Sequence, residues 1–172
     1  MIKAFLPGFI LLSLSAQAQR ADSLYMEAAI LKLKHAREYT IKVAQMMPVD
    51  KYGFRPSQEE MSFDQQLLHI AQAMQYLCKT YLNGSANMIQ VPDSNLNKEA
   101  TIKILNTVYD YAIATLENFD PGRLSDTISF FIKPMNKLQI LNLMNDHQTH
   151  HRAQLVVYLR INGIKPPDYV GW

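Results

Sequence analysis

Apolar positions recur every three or four residues along most of the chain, the period of helices packed on one face. From about Asp22 to Met47 the stripe is Leu24, Ala28, Leu31, His35 and Tyr39, and Pro48 stops it. Val49 to Met61 is a connection containing Tyr52-Gly53-Phe54-Arg55-Pro56. A second helix opens at Ser62, whose hydroxyl can cap the first turn while Gln65 reaches back to it. Its apolar face is Phe63, Leu67, Ile70, Met74, Leu77 and Tyr81, and it ends near Asn83-Gly84. A polar loop, Ser85 to Asn97, precedes a third helix over about Lys98 to Asn118, with Ile102, Leu105, Val108, Ala112 and Leu116 in register. Asp120-Pro121-Gly122 forces a turn, and Thr127 to Ile132 is rich enough in β-formers for a short extended piece over the bundle. The fourth helix is expected to begin around Pro134 and to stop at Asn162-Gly163, with Pro166-Pro167 preventing resumption. Four amphipathic helices with little strand alternation predict an all-α, four-helix bundle. The long connections after the first and third helices leave the order of the helices around the bundle open.

The first residues depart from this pattern. Met1-Ile2-Lys3 is a short positive start, Ala4 to Leu14 is largely apolar, and Ser15-Ala16-Gln17-Ala18 supplies small residues for cleavage. Residues 1–18 therefore read as a signal peptide and 19–172 as the domain, with Gln19 as the mature N-terminus. The apolar run is short for a bilayer span, and no cysteine follows it to carry a lipid. The expectation is an exported protein, periplasmic or secreted, with no stable membrane anchor after cleavage. The single cysteine, Cys78, has no partner for an internal disulfide and falls on the apolar side of its helix, as a buried thiol would.

Composition narrows the partners. With 48% hydrophobic and 19% charged residues in 172, the chain is globular and long enough for a real core. A net charge of +2 without a basic block argues against nucleic acid or an acidic membrane surface as partner.

The chemistry concentrates in Asp146-His147-Gln148-Thr149-His150-His151-Arg152-Ala153-Gln154. His147 and His151 lie one helical turn apart, about 6 Å of rise, so their imidazoles can share one divalent ion. On a helical wheel Ile140, His151, Gln154 and Tyr158 fall within about 40° of His147, while Asn145, Thr149 and Arg152 take the opposite side. Two imidazoles in the middle of a core-facing stripe need two separate hydrogen-bond partners or one shared cation, and the spacing favours the cation. His150, turned about 60° away, suits a second-shell or pocket-lining role. His69, at the border of the second helix's stripe, fits either a third ligand or an ordinary half-exposed histidine. Three protein ligands would leave a coordination position open, as in catalytic rather than structural zinc sites. His35 reads as a structural histidine hydrogen-bonded to a tyrosine. No Glu-x-x-His, His-Glu-x-x-His, glycine-rich phosphate loop or nucleophile elbow occurs in the sequence.

In order and spacing, several stretches resemble the DinB/YfiT-like superfamily over essentially the whole mature chain. They are Met47-Pro48 with Tyr52-Gly53-Phe54-Arg55-Pro56, then Ser62-Phe63 with Leu67-Leu68-His69-Ile70-Ala71. The third is His147-x-x-His150-His151-Arg152-Ala153-Gln154-Leu155, followed by Tyr158-Leu159-Arg160, Gly163 and Pro166-Pro167. Arg152-Ala153-Gln154 departs from the more usual Arg-Gly-Gln. The resemblance implies a three-histidine site at His69, His147 and His151 for a divalent ion, zinc or nickel first and iron as an alternative. It also implies a relation to transferases and isomerases that use small thiols.

Two functional classes follow. One is a metal-dependent transferase or hydrolase acting on a small molecule, with His150 and Gln154 orienting ligands or substrate, and Tyr52, Arg55 and Tyr158 as pocket candidates. The other is a metal- or small-molecule-binding module without turnover. Analogy with other bundles suggests a homodimer.

Overall fold

A computed structural model of the chain describes residues 8–94, 97–131 and 133–171. Helices α1 (Gly8–Met46), α2 (Phe63–Tyr81), α3 (Lys98–Glu117) and α4 (Lys137–Ile161) form the bundle. Short 3-10 turns at Val49–Lys51 and Pro121–Arg123 and a hairpin, β1 (Thr127–Phe130) with β2 (Lys133–Asn136), complete it. Of the expected signal peptide, residues 1–7 lie outside the described residues, and the backbone is helical from Gly8 onward. No helix among the described residues is long and apolar enough to cross a membrane.

The helix ends follow local chemistry. Ser62 caps α2 and Gln65 Oε1 accepts from the Ser62 amide at 2.9 Å, the anticipated capping box. At the other end Asn83 adopts a left-handed conformation (φ 60°) and Gly84 N donates to Cys78 O at 2.9 Å. A Cβ on Gly84 would stand 3.0 Å from that carbonyl and closer still to the Tyr111 hydroxyl, so the chain needs glycine there. Helix α4 ends in a Schellman motif: Gly163 (φ 74°) donates to Arg160 O at 3.0 Å and Ile164 N to Leu159 O at 2.9 Å.

The start of α4 differs from expectation. Pro134 lies in β2, opposite Ser129 of the antiparallel ribbon, and the helix opens three residues later. Asn136 and Gln139 form a second capping box, each bond at 2.8 Å, and this reciprocal pair sets the boundary where proline was expected to. Proline is tolerated in β2 because a two-stranded ribbon is all edge. The extended piece expected over Thr127 to Ile132 is thus one arm of a hairpin, with Ile132 itself outside the described residues.

Helix α2 packs on α3 and α4, and α1 packs on the same two. The connections after α1 and α3 therefore run diagonally across the bundle, which accounts for their length. The core is built from Leu33, Val43, Met47, Phe63, Leu67, Ile70, Met74, Leu105, Tyr109, Leu116, Ile140 and Leu155, with Cys78 buried among them.

The α1 stripe is rotated from the expected one by about 130° at 100° per residue, although Tyr39 of the expected stripe is buried in the core. Met26, Ala29, Leu33, Ala36, Thr40, Val43 and Met47 face inward, while Leu24 is 55% and Leu31 50% exposed. Helix α1 carries apolar side chains on more than one face, so periodicity alone did not single out the one that α3 and α4 cover. His35 also differs: its Nδ1 is buried without a hydrogen-bond partner, so among the described residues no tyrosine bonds to that nitrogen.

Candidate metal centre

The contact between α2 and α4 brings three histidines together. His69 projects from α2, and His147 and His151 project from α4 one turn apart. Their ring centroids are separated by 4.9 Å (His69–His147), 4.6 Å (His69–His151) and 4.4 Å (His147–His151). One nitrogen from each ring lies within 4.8 Å of the others. All three side chains are half-buried, at the margin of the core and open to one side.

The donor set fits a divalent ion. Nε2 of His147 stands 3.2 Å from Nε2 of His69. Two imidazole nitrogens bound to zinc at tetrahedral angles lie about 3.3 Å apart, given Zn–N bonds of about 2.0–2.1 Å. His151 presents the complementary arrangement. Its Nδ1 donates to Gln66 Oε1 at 2.5 Å, which leaves Nε2 unprotonated and available as a ligand.

Gln66 is a site residue that sequence reasoning missed. It is 1% exposed on α2, one turn before His69. The available signal was a polar side chain on the buried face between Phe63 and Ile70. Its Nε2 donates to Gln154 Oε1, and Gln154 Nε2 donates to His150 Nε2 at 3.0 Å. These bonds form one directed relay from His151 through Gln66 and Gln154 to His150, in which each amide donates one way and accepts the other. Replacing Gln66 by alanine is expected to lower metal affinity about 10–100-fold, the usual cost of losing a ligand's orienting partner, while helix content stays unchanged. A competition titration against a chromophoric chelator measures it, and an unchanged affinity would contradict the role.

Electrostatics keep the imidazoles neutral. Burial lowers the pKa of His69, and burial reinforced by His69 and His150 lowers that of His147. His151 is pushed down to about 4, by burial first and then by His147, His69 and His150. Neutral imidazole is the ligand form, so no proton has to leave near neutral pH. In the metal-free protein the folded histidines bind fewer protons than the unfolded chain between about pH 4 and 6.5. Their contribution to stability is thus fully present above pH 6.5 and is lost as the pH falls toward 4. Denaturant midpoints across this range should fall toward acid, and less steeply for His151→Ala. Equal slopes in the two proteins would contradict the account.

The other expected site residues divide. His150 is exposed beside the cluster, its ring 5.0 Å from that of His151 and perpendicular to it. Tyr158 lies beyond Gln66, its hydroxyl 3.5 Å from Gln66 Nε2 and donating to Met61 O at 3.0 Å. Arg55 is exposed and donates to Gln65 Oε1 at 3.3 Å, near enough to Tyr158 to act on its hydroxyl electrostatically. Tyr52 departs from its expected place at the pocket. It is 4% exposed, its hydroxyl donates to Ala44 O at 2.7 Å, and its ring meets Phe63 edge-on, so it ties the connection to the core.

The wheel placed the histidines mid-stripe and Asn145 and Arg152 opposite. In the structure the histidines sit at the edge facing α2, and Asn145, Gln148 and Arg152 are buried, at 7%, 2% and 7% exposure. Helix α4 is covered on two sides, and the second is lined with hydrogen-bonded polar groups that a hydrophobic stripe does not reveal.

A helical bundle with three imidazoles converging between two of its helices is the class defined by fold and site together. The DinB family model matches residues 26–171, and the chain belongs to that family. It is 25% identical over 131 residues to YjoA of Bacillus subtilis, an uncharacterized protein, covering 74% of this chain and 84% of that one. The crystal structure of YjoA, a DinB-like protein, superposes with a TM-score of 0.68 at 20% identity, covering 83% of this chain and 96% of its own. A DinB-like protein from Bacillus cereus gives 0.69 at 18% identity, covering 84% and 97%. A conserved protein from Enterococcus faecalis gives 0.62 at 15%, covering 78% and 95%.

Proposed function

We propose that this DinB-family protein is exported and holds one divalent ion, zinc or nickel, at His69, His147 and His151, as a metal-dependent transferase or hydrolase of a small molecule. The observation that carries the reading is the donor set itself: three neutral imidazoles, half-buried, with Gln66 holding Nδ1 of His151. An ion bound by three protein ligands retains a position for an exogenous ligand and supplies Lewis acidity there. The chain's own residues supply the rest. Gln66 fixes the tautomer of His151, Gln154 holds His150 through its Nε2, and exposed His150 stands where it can exchange a proton with solvent or substrate. The basic start and small-residue cleavage pattern of residues 1–18 support export. Export in turn directs the search toward ester and amide substrates before thiol conjugates, since reduced small thiols belong mainly to the cytosol.

One observation favours a binding module without turnover. The charges acting on the imidazoles are those of other histidines of the cluster and of His150, and among the described residues no carboxylate acts on them. Cobalt substitution followed by ester and thiol-transfer panels separates the two readings. The catalytic reading expects a visible-band change on adding substrate analogues and turnover that falls in His150→Ala. A four-coordinate spectrum indifferent to every added ligand, with no turnover, supports the module.

A further inference from the structure

On the side of α4 that faces α1, a cavity of about 210 Å³ is lined by Lys32, His35, Asp146, Arg152 and Tyr169, among others. Arg152 is 7% exposed, yet no carboxylate lies within ion-pair distance of it among the described residues. Its Nη1 donates to Thr40 Oγ1 at 3.3 Å and its Nη2 to Thr149 Oγ1 at 3.2 Å, both neutral acceptors. The inner bonds pass the polarity onward. Thr40 Oγ1 lies 3.0 Å from Tyr109 Oη, Tyr109 donates to Gln148 Oε1 at 2.8 Å, and Gln148 donates to Asn145 Oδ1 at 3.2 Å. That chain orients the guanidinium without neutralising it. The Tyr39 ring, its centroid 5.2 Å from the guanidinium carbon, covers the fork on another side.

An unsatisfied group lines the same cavity. Nδ1 of His35 is buried and has no hydrogen-bond partner. Asp146, the carboxylate in the lining, is not paired with Arg152. Residues Tyr169 to Gly171 close the outer wall, with the Tyr169 ring edge-on to Tyr39 at 6.3 Å.

A buried cation is retained when it is paired, and a planar guanidinium fork is matched by a planar or tetrahedral oxyanion. We propose that this cavity binds a small oxyanion, carboxylate or phosphate, with the Arg152 guanidinium as its anchor and His35 Nδ1 as a second contact. The volume is below that of a typical cofactor pocket and suits inorganic phosphate or an acid of a few carbons. The site lies on a different side of α4 from the metal centre, because Arg152 is turned about 100° from His151 around the helix.

The test is calorimetric titration of the full chain, metal-free and zinc-loaded, with inorganic phosphate, acetate and succinate at constant ionic strength against chloride. One-to-one binding of at least one oxyanion is expected in both metal states, with a rise in melting temperature. Arg152→Lys should weaken it about tenfold or more and His35→Ala several-fold, with unchanged circular dichroism. Binding of phosphate alone or of carboxylates alone supports the site and names its ligand. If Arg152→Lys does not fold, His35→Ala decides. Absence of saturable binding above chloride, or affinity unchanged in His35→Ala, overturns the proposal.

Discussion

Replacing His147 or His151 by alanine is expected to lower affinity for a divalent ion by at least about 100-fold, since loss of a mere orienting partner already costs about 10–100-fold. The effect should be similar for the two, because both rings come from adjacent turns of α4 and each supplies one of three nitrogens. The metal-free variants should remain folded. The imidazoles are half-buried at the edge of the core, so truncating one leaves the apolar packing between α2 and α4 in place. Chelator competition with circular dichroism reads both quantities. Variants that unfold while the parent shows no metal affinity would mean that the histidines serve packing.

Phe63→Ala is expected to have the largest effect on stability, about 3–5 kcal/mol. Phe63 is fully buried at the first turn of α2, with Tyr52 edge-on at a centroid distance of 5.3 Å. Its amide donates to Phe54 O at 2.9 Å, and the next amide donates to Tyr52 O at 3.0 Å, which fastens the diagonal connection to the start of the helix. The cavity left by alanine opens at this junction, one turn before Gln66 and two before His69. Phe63→Leu keeps most of the volume and should cost roughly 1–1.5 kcal/mol. Urea unfolding measures both, and a loss below about 1 kcal/mol for the alanine variant would show that the junction carries little of the core.

The parts of the fold written in local chemistry were legible in the sequence. Ser62 and Gln65 announce α2, Asn162-Gly163 closes α4, and the α3 stripe of Leu105, Val108, Ala112 and Leu116 is buried as its spacing implies. The misreadings arose where tertiary packing chose among options the sequence left open. Helix α1 has several apolar faces, and α4 buries a polar side that hydrophobicity cannot mark. Pro134 was outweighed by the Asn136–Gln139 box, which begins two residues on. In the site, the spacing of His147 and His151 was visible in one dimension. His69 needed the family resemblance, because its approach to α4 depends on a contact across 78 residues of chain. Gln66 was hidden for the same reason: its partners His151 and Gln154 are 85 and 88 residues away.

Metal content by mass spectrometry on the untagged chain tests the three-histidine centre most directly. The account predicts close to one zinc or nickel ion per chain, retained through desalting and lost on adding a strong chelator. Protein that contains no ion as isolated, and takes up none after incubation with zinc or nickel, would contradict it.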